Sequence, residues 1–119
     1  FTKQSDRALA DAYESDTGKQ WTQPIGVAQW LFEVAASALS RAKSLKAADV
    51  RDAVASTAIN SVVGPIKWGG KGPFKNVSKT PLVLGQWGKG KKYKYELTIV
   101  NNEAAKNIPT GGTLRLIRG

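Results

Sequence analysis

Cysteine and histidine are both absent from this chain of 119 residues. Without cysteine there is neither a disulfide frame nor a thiolate metal site. Without histidine the usual general base near neutral pH and the commonest metal ligand are missing too. Methionine is also absent, and the chain begins at Phe1. Such a start is expected of a processed or truncated chain, through signal-peptide removal or proteolysis. No run approaches the roughly 20 apolar residues of a membrane span. The most apolar stretch, 25–39, is interrupted by Gln29, Glu33 and Ser37.

Acidic residues are missing over a long interval. Between Asp52 and Glu96 the only charges are Lys67, Lys71, Lys75, Lys79, Lys89, Lys91, Lys92 and Lys94, within a net charge of +9. Basic clusters of this kind mark nucleic-acid or anionic-membrane contact, and also occur as plain solvated faces. The absence of arginine from the run argues against bidentate phosphate recognition.

Catalytic residues are equally scarce. Glu33 is the only acid of the longest helical pattern, and Asp49 and Asp52 flank Arg51 on a polar helix face. No two acids form an acid–base couple, so an enzyme is not expected. The glycine clusters are turns. Gly69-Gly70-Lys71-Gly72 lacks the Ser/Thr and the following helix of a phosphate loop, and Gly85, Gly88 and Gly90 join strand to strand.

What is present reads as helices followed by strands. Ser5 is a good N-cap, Leu9, Ala12 and Tyr13 recur at helical spacing, and Gly18 is a natural stop, which predicts a helix over 6–16. Pro24 suits the first turn of a second helix, along which Val27, Leu31, Val34, Ala38 and Ala42 trace one face. Trp30, Phe32, Ala35 and Leu39 widen that face, leaving Gln29, Glu33, Ser37 and Arg41 as a polar stripe. A helix this apolar belongs in a core packed on more than one side. A third helix is expected over 47–56, with Val50, Ala53 and Val54 inward.

The period then changes. Strands are expected over 62–68 and 82–87, with Gly64-Pro65 marking an edge or bulge and a Gly/Lys hairpin turn over 88–92. Tyr93, Tyr95, Leu97 and Ile99 alternate with Lys94, Glu96 and Thr98, the pattern of a half-buried strand. Leu114 to Leu116 suggests a last strand. The expected organisation is a helical part over 6–57, a strand part over 58–100 and a tail over 101–119. Taken alone, three helices followed by an antiparallel hairpin have an α+β appearance.

Several segments, in order, resemble the leucine/branched-chain amino acid family of type 1 periplasmic binding proteins, the solute receptors of ABC importers. Ala10-Asp11-Ala12-Tyr13-Glu14, followed by Gly18, resembles the family's Tyr…Gly helix, and Arg41-Ala42-Lys43-Ser44 its Arg-Ala-Gly-Ser helix end. Asp49-Val50-Arg51-Asp52-Ala53-Val54 resembles its VRDAL helix, and Val63-Gly64-Pro65-Ile66-Lys67-Trp68 its Gly-Pro-Ile-x-aromatic strand. Gln86-Trp87, followed by Gly88-Lys89-Gly90, resembles its closing strand and turn.

The resemblance spans about 10–100 and implies an α/β fold, the C-terminal portion of a protein whose two lobes close on a solute. It implies a periplasmic location, a small solute such as a branched-chain amino acid, amide or aromatic carboxylate, and an ABC permease in the inner membrane as partner. The missing N-terminal part of the same chain would be a further partner. It implies no cofactor, no metal and no nucleic acid. The family's cleft would fall at the mouth of the second helix, on Trp21, Gln23, Pro24 and Gly26. There a helix N-terminus suits a carboxylate, an amide directs a hydrogen bond and an indole offers a wall. In the same place many members carry Gly-Tyr-Asp-Ala where this chain reads Gly26-Val27-Ala28-Gln29. The structural alternative is that Trp21 only packs and Pro24 only starts the helix. The rival function is a small basic nucleic-acid-binding module, using the Lys/aromatic segment 67–95 to stack bases and follow phosphates.

Overall fold

A computed structural model describes residues 5–69 and 72–116. They form a small mixed α+β arrangement of three helices and two antiparallel hairpins. The chain divides into two compact units, 1–80 and 81–119.

In the first unit, α1 (Asp6–Thr17) starts where Ser5 Oγ accepts the Ala8 N–H at 3.2 Å, and it ends at Gly18 in the left-handed region (φ 65°). It contains no buried residue. Next, α2 (Gln23–Arg41) runs 19 residues, with proline in its first turn, and α3 (Ala47–Ala55) follows. Helix α2 packs on α3 and on β1 (Ala58–Ser61). Among the described residues, the buried apolar ones of this unit are Val34 and Ala38 of α2, Ala53 of α3, Val62, and Ile66 of β2 (Gly64–Lys67).

Strands β1 and β2 pair from Ala58↔Lys67 to Ser61↔Gly64. The expected strand over 62–68 is therefore the second half of a hairpin, whose first strand, Ala-Ile-Asn-Ser, carries little strand signal. Its turn is Val62-Val63, where no residue has positive φ, and Gly64 takes φ 98° instead. Ser61 Oγ closes this turn, accepting the Val63 N–H and donating to the Gly64 carbonyl at 2.8 Å.

In the second unit, β3 (Leu84–Lys89) pairs with β4 (Tyr95–Asn101), with a bulge at Leu84/Gly85. β3 runs two residues further into the glycine segment than expected and β4 starts two residues later, so the turn is 90–94. Among the described residues Ala105 is the one buried apolar side chain here. Tyr95 and Leu97, expected on a buried face, are exposed. The expected strand at Leu114 to Leu116 does not form. A side chain substitutes for the ladder: Gln86 Nε2 donates to the Arg115 carbonyl at 2.6 Å and Gln86 Oε1 accepts the Arg115 N–H at 2.9 Å.

Candidate functional site

The mouth of α2 is built by its approach from α1. The Trp21 N–H donates to the Glu14 carboxylate at 3.0 Å, and the Trp21 ring meets Tyr13 edge-on, with centroids 6.3 Å apart. A Cβ on Gly26 would lie 3.3 Å from Trp21 Cζ2, so the indole lies against the bare backbone of the buried Gly26. The fold thus brings Trp21 and Gly26 together, with Gln23 and Pro24 exposed on the same turn. Thr22, the N-cap, makes no side-chain capping bond, while its carbonyl accepts the Ile25 N–H at 3.0 Å. The corner therefore combines an apolar wall, a carboxamide and a helix N-terminus.

The middle of the polar stripe of α2 does not face solvent. Glu33 and Ser37 are among the buried residues, and Glu33 is only 7% exposed. Glu33 Oε2 accepts the buried Val62 N–H at 3.0 Å, tying the β1–β2 turn to the helix. Arg41 reaches the far end of α3. Its guanidinium donates to the Ala53 carbonyl at 2.8 Å, to Ser56 Oγ at 2.9 Å, to Thr57 Oγ1 at 3.0 Å and to Ser37 Oγ at 3.3 Å. A cation at a helix C-terminus both bonds an orphan carbonyl and opposes the negative end of the dipole.

The opposite face of α2 is open. Val27, Leu31, Phe32 and Leu39 are exposed, Leu31 by 55% and Phe32 by 72%. Helix α2 therefore buries Glu33 and Ser37 beside Val34 and Ala38 and leaves several of its large apolar side chains outward. Sequence reasoning missed the roles of Glu33 and Arg41. The signal was their four-residue spacing through Ser37, the spacing of residues that share one contact.

The segment 63–68 contributes a second anomaly. Trp68 Nε1 is buried without a hydrogen-bond partner among the described residues. In α1, partial burial and then the Glu33 carboxylate push the Asp6 carboxyl above its ordinary pKa.

The lysine run of 67–95 is not one surface element. Lys67 closes β2, whereas Lys89, Lys91, Lys92 and Lys94 border the turn of the second hairpin. There Glu96 Oε1 accepts the Lys92 and Tyr93 N–H groups at 2.9 and 3.1 Å. These backbone bonds hold the Glu96 carboxyl below its ordinary pKa. Gly90 is needed for the same turn, because a Cβ there would collide with the Tyr93 carbonyl and the Glu96 side chain.

No group of three or more potential metal ligands occurs among the described residues. No described helix is long and apolar enough to cross a membrane. Set against families of known proteins, curated proteins and solved structures, the chain matches none.

Proposed function

We propose that this chain is the C-terminal part of a periplasmic solute-binding protein of the branched-chain amino acid ABC-importer type. It is not an enzyme and takes no cofactor. The carrying observation is the bare outer face of α2: a helix that buries Val34 and Ala38 yet leaves Phe32, Leu31, Val27 and Leu39 exposed has a second apolar side for another layer of protein to cover. The unpartnered Trp68 indole N–H points the same way, since leaving a buried donor unpaired costs about 1–3 kcal/mol. Division at 80/81 into two units suits a segment that passes from one lobe to the other.

In this reading the solute carries a carboxylate and meets Trp21, Gln23, Pro24 and Gly26 at the mouth of α2. The helix N-terminus and the Gln23 carboxamide hold its polar end, and Trp21 forms an apolar wall. Closure of the two lobes on the solute is a population shift driven by contacts to both, and the inner-membrane permease reads the closed form. The test is thermal stabilisation of the full-length parent protein by a panel of amino acids, amides and aromatic carboxylates. One compound of this set should raise the melting temperature in a concentration-dependent way, and Gln23→Ala should weaken the effect. A full-length protein indifferent to the whole panel would contradict the reading.

A further inference from the structure

The β3–β4 hairpin has two unlike faces. Antiparallel partners share a face, so Gln86 and Thr98 lie on one side, and Trp87, Leu97, Lys89 and Tyr95 on the other. The tail runs over the first side. Arg115 pairs with Gln86 there, and a Cβ on Gly111 or Gly112 would lie 3.2 Å from the Thr98 methyl. The second side is open, with Trp87 54% and Tyr95 52% exposed and Leu97 exposed between them. Lys89 stands on this face, and Lys91, Lys92 and Lys94 ring its turn end.

We infer that this face docks on an anionic lipid bilayer. Trp and Tyr, with an apolar body and a polar tip, favour the membrane–water interface. Leu97 adds apolar area, and lysine stems can lie along the acyl boundary with their ammonium groups among the headgroups. The cationic rim matches an anionic leaflet, which attracts each nearby lysine. Two features favour lipid over single-stranded nucleic acid. Lys92 Nζ lies 5.1 Å from the Tyr93 ring centroid and Lys94 Nζ 5.6 Å from that of Tyr95, so those rings already carry a cation where a base would stack. The basic residues around this turn are all lysines, which bind a headgroup as point charges rather than as a phosphate fork. The inference rests on the hairpin alone and is independent of the transport reading.

The test is co-sedimentation of the 119-residue chain with vesicles of phosphatidylcholine alone or mixed equally with phosphatidylglycerol. The chain should pellet with the mixed vesicles only, and high salt should release it. Replacing Lys91 and Lys94 by glutamine should lower the partition coefficient about fivefold for each lysine removed. Both positions lie outside the β3–β4 ladder, and an unchanged circular dichroism spectrum confirms that the fold is kept. Trp87→Ala should weaken binding to the mixed vesicles further. Equal pelleting with neutral vesicles, or none with anionic ones, would overturn the inference. So would binding of oligothymidylate through the same lysines without vesicle binding, which assigns the face to nucleic acid.

Discussion

The two units of this chain are held by different chemistry. In the first, a helix turns its polar stripe inward, and Glu33 and Arg41 fasten a hairpin turn and a helix end to it across long sequence separations. In the second, side-chain bonds lie at exposed or half-buried positions, with Glu96 gathering turn N–H groups and Gln86 holding the tail. The first unit is a frame with buried polar joints. The second is a hairpin organised by its turn, of a size that is marginal when it stands alone. The difference also shows in what each leaves bare: the first a helix face, the second a sheet face.

The comparison is broken most severely at Arg41. Arg41→Ala removes donors from Ser37, Ala53, Ser56 and Thr57 together and should cost about 3 kcal/mol in urea unfolding, while the chemical shifts of β3 and β4 stay in place. Glu33→Ala comes next. It leaves the buried Val62 N–H unpaired at a cost of about 2 kcal/mol, whereas Glu33→Gln, which keeps an acceptor, should cost clearly less. An alanine variant as stable as the parent would show that the inward stripe is not a joint.

Acid sharpens the contrast by sign. Glu96 has a depressed pKa in the folded chain, so its contribution is present above the usual glutamate value of about 4.3 and is lost as pH falls through the folded value. Asp6 has a raised pKa, so its folded form binds the proton more tightly. Its unfavourable contribution at neutral pH fades as pH falls through that raised value. Acidification should therefore ease the start of α1 first and loosen the β3–β4 turn later, read by amide exchange at Ala8 and at Lys92 and Tyr93. Glu96→Gln should remove the later transition and leave the earlier one.

Much of the helical half was legible beforehand. Ser5, Gly18 and Pro24 mark helix ends by local chemistry, and the observed helices end within a residue or so of the expected limits. The direction in which α2 faces was not legible. Hydrophobic periodicity locates a stripe but does not say that Glu33 and Arg41 have backbone partners waiting at Val62 and Ala53. Strand β1 was missed because Ile59 is its only large apolar residue, so its pairing with β2 supplies what its composition lacks. The alternation of Tyr95, Leu97 and Ile99 correctly marked a strand, but periodicity cannot tell a covered face from a bare one. At the α2 mouth, the contact of Trp21 with Gly26 depends on the chain reversal between α1 and α2, which no spacing encodes.

The outer face of α2 gives the most direct test. Phenylalanine and serine have similar helix propensities, so Phe32→Ser reports mainly on burial. In the 119-residue chain, where Phe32 is exposed, the substitution should change stability by no more than about 0.5 kcal/mol. On the proposed reading, in which another layer of a longer parent protein covers the ring, the same substitution in that protein should cost about 3 kcal/mol or more. Denaturant unfolding of both pairs measures the difference. Equal, small effects in the short and full-length proteins would contradict the claim that this helix is half of a larger core.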